Sequence, residues 1–178
     1  MEKEQTYLQS LERIWQMCVF QSKPQELKVG IALAATLIPF YLMGIFVTLI
    51  ITPGLNISMA LGTSMVLGAL GIIILFLWGL HFYKGTRENF LSAVFSVVGT
   101  QCVILFINLP TLLFYNQIPG QTVATQMVLG LMVILLGWSL AIIGRILHFS
   151  LQISHALGAA IALSWVLLVR AGSLMVLS

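Results

Sequence analysis

Apolar residues fill this chain in long runs, and polar residues gather in the short stretches between them. Val29–Ile51, Met59–Phe82, Phe90–Phe114, Val123–Ile146 and the stretch from His155 to about residue 175 are five such runs. Each approaches or exceeds the ~20 residues that a helix needs to cross a bilayer. Residues 1–28 form the one sizeable polar segment. There Leu8, Leu11, Trp15 and Cys18 recur at helical spacing, widened by Tyr7, Ile14 and Val19, with Glu2, Lys3, Glu4, Glu12 and Arg13 on the remaining faces. That pattern predicts an amphipathic helix lying at the membrane surface, with a partner-docking helix as the alternative. Pro24 is expected to end it, because the residue before a proline is pushed away from helical geometry. The fold class is therefore an all-α polytopic membrane bundle of about five transmembrane helices (29–51, 59–82, 90–114, 123–146 and 155–175) behind an interfacial segment, 1–28.

Finer features lie within the runs. Pro39 predicts a kink in the first, and Pro110 a bend or an end in the third. Ala60, Ser64 and Gly68 repeat every fourth residue, with Gly71 beyond them. Small residues at that spacing let helices approach closely, and internal packing is favoured here over homodimerisation. Gly158, Ala159, Ala160 and Ala162 give the fifth run a similar close-packing start. The third run is the most polar. Ser92, Ser96 and Thr100 stand at steps of four and can bond their own helix carbonyls. Gln101 and Asn108 share another face, and Gln101, near mid-membrane, is expected to find a partner on a neighbouring helix. The alternative makes all five the polar lining of a solute path.

Composition narrows the picture. The chain has 178 residues, 60% apolar and 7% charged, with a mean hydropathy of +1.06. A soluble domain carries about 25% charged residues. Seven of the eight basic residues (Lys3, Arg13, Lys23, Lys28, Lys84, Arg87 and Arg145) fall on one side of a five-span topology, leaving Arg170 on the other. The positive-inside bias then places the N-terminus in the cytoplasm and the C-terminus outside. The same distribution is no nucleic-acid face. No apolar segment precedes residue 29, so no cleavable leader is expected. Cys18 and Cys102 fall at different depths and predict no disulfide.

Candidate chemistry is sparse. The sequence has no Asp, and no acid lies inside an apolar run, where ion-coupled pumps usually need one. There is no Gly-x-Ser-x-Gly elbow, no glycine-rich phosphate loop and no cluster of ligands at metal spacing. Leu80-His81-Phe82 and Leu147-His148-Phe149 form a faint repeat. Two such imidazoles at one depth could hold a haem iron, but each lacks the surrounding pattern of a haem site and reads as an interfacial histidine. The expectation is a non-enzyme with no cofactor.

The run Phe20-Gln-Ser-Lys-Pro-Gln-Glu-Leu27 and the later Gly144-Arg-Ile-Leu-His-Phe-Ser-Leu151, set in a five-span layout behind a polar N-terminal segment, resemble small bacterial members of the Yip (Ypt/Rab-GTPase-interacting protein) domain group. The Asp-Leu-Tyr-Gly-Pro signature of the eukaryotic members is absent. The resemblance implies a bacterial inner-membrane protein that organises or binds other membrane proteins and has no catalytic residues. Its contact surface would be Leu8, Leu11 and Trp15 together with Lys84 and Arg87, and its partners the bilayer and other membrane proteins or further copies of itself. A small transporter or channel subunit and an accessory subunit of a membrane enzyme complex are the alternatives.

Overall fold

The computed structural model describes residues 2–52, 59–118 and 122–177, with side chains over 7–52, 61–118 and 122–167. Among these the chain is all-α. Helix α1 (Glu2–Cys18) is followed by a short 3-10 turn at Pro24–Glu26, then α2 (Ile31–Ile51), α3 (Met59–Lys84), a second 3-10 turn at Arg87–Asn89, α4 (Phe90–Gln117), α5 (Val123–Leu151) and α6 (His155–Leu177). Among the described residues four helices, α2 to α5, are long and apolar enough to cross a membrane, which suggests an integral membrane protein. The centres of the two uncharged turns, 53–58 and 119–121, lie outside the described residues, as do the side chains of Ala60 and Arg170.

The helices overrun their apolar cores. α3 continues through Lys84, α4 through Gln117 and α5 through Leu151. Pro110 does not end the third run, since α4 carries on for two turns beyond it; Pro39 likewise lies inside α2. Neighbouring helices and polar side chains make such interior prolines tolerable in membrane helices.

Side-chain contacts set the register. α2 and α4 run parallel: the Cys102 thiol lies 3.7 Å from the Leu37 carbonyl oxygen, and Asn116 Nδ2 donates to the Ile51 carbonyl at 2.5 Å. α4 and α5 run antiparallel, with Asn89 Nδ2 donating to the Ser150 carbonyl at 3.3 Å and Gln101 Nε2 donating to Ser139 Oγ at 3.0 Å. α6 returns against α5 where Gly144 meets Gly158 and reaches α3 through the Trp165 and Phe76 rings, 4.6 Å apart. α4 is the central post. From Ala93 to Thr100 every residue is buried, on all sides of the helix.

α1 is responsible for much of that burial. Tyr7 Oη donates to Thr36 Oγ1 of α2 at 3.4 Å, Ile14 lies over Gly99 of α4, and Trp138 Nε1 of α5 donates to the Cys18 carbonyl at 2.9 Å. Thr36, Gly99 and Trp138 stand at similar heights, because Leu37 faces Cys102 and Gln101 faces Ser139. α1 therefore lies across three helices at one level and is seated in them rather than resting beside them. A Cβ on Gly99 would come within 2.7 Å of Ile14 Cδ1, so the glycine is what lets α1 settle.

The expected stripe is rotated as a result. The inward face is Ser10, Ile14, Met17 and Cys18, whereas Leu8 is 64% exposed and Trp15 53% exposed, with Leu11 between the two. Ser10 is tolerated inside because its hydroxyl donates to the Lys28 carbonyl at 3.0 Å. α1 also stops earlier than Pro24 requires, at Cys18.

Candidate functional site

The reason for that early stop recurs at the same end of the bundle. Gln21 N donates to the Gln16 carbonyl and Phe20 N to the Met17 carbonyl, with Phe20 left-handed at φ 61°. This is a Schellman cap, in which a left-handed residue turns the last amides back onto the final carbonyls. α3 closes in the same way: Thr86 N donates to the His81 carbonyl, Gly85 N to the Phe82 carbonyl, and Gly85 has φ 71°. α5 closes with Ile153 N on the His148 carbonyl and Gln152 at φ 54°. The Leu-His-Phe repeat thus marks two equivalent cap positions, each with a histidine in the last turn, where the helix dipole favours a cation-capable side chain.

The caps bring basic and aromatic residues together. The ring of Phe149 has Lys23 Nζ 5.2 Å from its centroid and Arg145 Cζ 5.3 Å away. Arg145 also lies 5.7 Å from the Phe20 ring. His148 stacks on His155 of α6 with centroids 3.5 Å apart, meets Phe149 edge-on, and its Nδ1 contacts the Ile153 carbonyl oxygen. Gln25 Nε2 donates to the Phe149 carbonyl at 2.6 Å, tying the Pro24 turn to the end of α5. Among the described residues one ion pair is present, Arg13 to Glu26 at 3.0 Å. Arg145 makes no hydrogen bond to any described residue, and its Nε is buried. The two segments that meet here, Phe20–Leu27 and Gly144–Leu151, are the two short motifs singled out in the sequence. Their meeting was not read from the sequence, and neither was the part of Phe149 and His155; the two motifs were the signal available.

The expected site residues are distributed otherwise. Lys84 and Arg87 are exposed, with the Arg87 guanidinium 4.2 Å over the Phe82 ring. His81 is 1% exposed, bonded through Nδ1 to the Leu77 carbonyl at 2.8 Å and edge-on to Phe90. Its Nε2 has no hydrogen-bond partner among the described residues. His81 thus packs on Phe90, whereas His148 packs on Phe149 and His155. Ser92 donates to the Asn89 carbonyl. Ser96 and Thr100 are fully buried, Thr100 donating to the Ser96 carbonyl at 2.8 Å. Gln101 is held by Ser139, and the Asn108 Oδ1 is buried without a hydrogen bond. Among the described residues no three His, Cys, Asp or Glu side chains are grouped to hold a metal.

The small face of α3 corrects the packing expectation. Gly68, Gly71 and Gly79 have nothing within 4 Å of where a Cβ would stand, and Ser64 is exposed. These residues point away from the bundle, amid exposed Leu67, Ile72, Leu75, Trp78 and Phe82. The buried stripe of α3 is Val66, Ile73, Leu77 and His81 instead. By contrast Gly44, Gly99, Gly144 and Gly158 are each closed by a neighbour. No family model, curated protein or solved structure matches the chain.

Proposed function

We propose that this chain is a non-enzymatic multi-pass membrane protein that binds other membrane-embedded helices, with the outward face of α3 as its contact. The observation that carries this reading is the unfilled set Gly68, Gly71 and Gly79 beside Ser64. Small residues in membrane helices earn their place by close helix approach, and these approach nothing within the chain. Binding of other membrane proteins is also what the Yip-like layout implies. The solute-path alternative is the weaker reading because Ser96 and Thr100 are buried, and Ser92, Thr100 and Gln101 already bond protein groups.

The topology belongs to the same proposal. α6 runs from His155 to Leu177, 23 residues or about 34 Å at 1.5 Å each, enough for a fifth crossing. Lys23, Lys84, Arg87 and Arg145 gather at one end of the bundle, and the positive-inside bias assigns that end to the cytoplasm of a bacterial inner membrane.

The test is a photocrosslinking residue in place of Leu75, between the glycines, in protein kept in its own membrane. A discrete protein adduct is expected, abolished by Gly71→Leu and unaffected by Gly130→Leu on α5. An adduct with lipid alone would remove α3 as the contact. A product at twice the chain mass would identify the bound helix as that of a second copy.

A further inference from the structure

We propose that the basic end of the bundle binds one anionic phospholipid, its phosphate held by Arg145 and Lys23 beside the Phe149 ring. A guanidinium has five N–H donors in a planar fork that matches phosphate oxygens two at a time. None of the Arg145 donors is used by a described residue, although Nε is already shut away from solvent. A buried donor left unmatched is costly, most of all on a charged group. The nearby carboxylate of Glu26 is engaged by Arg13 and does not neutralise the pair. Lys23 reaches the same ring from a segment far away in sequence, so two positive charges converge and neither is in an ion pair with a described residue.

The backbone is bent to achieve this. Phe20 and Gln152, among the described residues the two non-glycines with positive φ, border the cluster. A bulky residue such as phenylalanine is a rare occupant of left-handed geometry, and such outliers persist where the surroundings hold them. Here that geometry sets Phe20 against Arg145.

Height and surroundings select a lipid over a soluble anion. From Val123 to Arg145 α5 rises about 33 Å at 1.5 Å per residue, slightly more than the ~30 Å hydrocarbon core. Arg145 therefore stands at headgroup level. Trp15, Val19 and Phe20 are exposed on the adjoining α1 segment, an apolar flank against which acyl chains can lie. Basic pockets between membrane helices at this level suit lipid phosphates.

Native mass spectrometry of the delipidated full chain, titrated with phosphatidylglycerol or with phosphatidylcholine of the same acyl chains, tests the proposal. One phosphatidylglycerol should be retained in preference. Arg145→Gln and Lys23→Gln should each weaken it about fivefold, while Lys84→Gln, at the other turn of the same end, should not. A thermal melt checks that each variant is folded, and Arg145→Lys, which keeps the charge but loses the fork, should fall between wild type and Arg145→Gln. Equal retention of phosphatidylcholine, or an equal loss with Lys84→Gln, would overturn the site. Displacement of the lipid by equimolar inorganic phosphate would reassign it to a soluble anion, and displacement by an equimolar hexaglutamate peptide to an acidic protein segment; either result overturns the lipid.

Discussion

Glycine is the residue on which this molecule turns, and its glycines fall into two kinds. At the α5–α6 crossing a Cβ on Gly158 would run into the Gly144 carbonyl oxygen, a backbone atom that cannot step aside. Gly158→Ala should therefore cost about 2 kcal/mol, in the range of overpacking, read as an earlier unfolding midpoint in detergent. Gly79→Ala, in a helix interior with open space around it, should stabilise by about 0.5–1 kcal/mol, read as a later unfolding midpoint. Gln152 makes the opposite case. It occupies with a side chain a left-handed cap position that glycine takes without strain. Gln152→Gly should stabilise by about 0.5–1 kcal/mol, the left-handed penalty less the added backbone entropy. Gln101 and Ser139 can be apportioned by a double-mutant cycle with Gln101→Leu and Ser139→Ala, where the coupling should be about 0.6 kcal/mol, the usual size for polar pairs between membrane helices.

At the scale of elements, the long helices were legible and their neighbours were not. An apolar run gives length and hence the crossing, but a helix with apolar residues all round does not say which stripe meets protein. This is why the α3 small face, expected to pack internally, points outward instead, and why Pro110 does not reveal that α4 continues past it. α1 shows the same ambiguity. Its apolar residues cover more than one face, so the stripe chosen from spacing is split: Cys18 and Ile14 are buried while Leu8 and Trp15 are exposed, and the seated face includes a serine that no hydrophobic count selects. Of the basic-aromatic cluster, the individual segments stood out in the sequence, whereas their contact depends on caps at Phe20 and Gln152 that propensity disfavours.

The seat of α1 has a chemical signature. Cys18 is fully buried, and burial pushes its thiol up to about 11. It should resist aqueous maleimide in the folded protein at pH 8 and react once the chain is denatured; labelling at the native rate of a surface cysteine would mean that α1 is not seated. Because the folded thiol holds its proton more tightly than a free cysteine does, its contribution to stability is complete below the ordinary thiol range and declines as the pH rises toward about 11.

For the whole molecule, packing is uneven. The basic end has α1, the start of α4, the end of α5 and the start of α6 pressed together, whereas over the first half of α5 only Val128 and Leu135 are buried and the rest is half-buried or exposed. The orientation proposed above puts the dense end in the cytoplasm. A cysteine in place of Glu88 should then react with a membrane-impermeant maleimide after lysis alone, and one in place of Thr122 in intact cells; the reverse pattern would invert the topology.

The crosswise position of α1 bears on how the protein is made. Cys18 and its partner Trp138 are 120 residues apart. At about 5–20 residues per second, ~6–24 s of synthesis separate them. Throughout that interval α1 has been synthesised while a wall of its berth does not yet exist. The first of the described helices to emerge is thus among the last of them to be placed, and its docking reports that α5 has arrived.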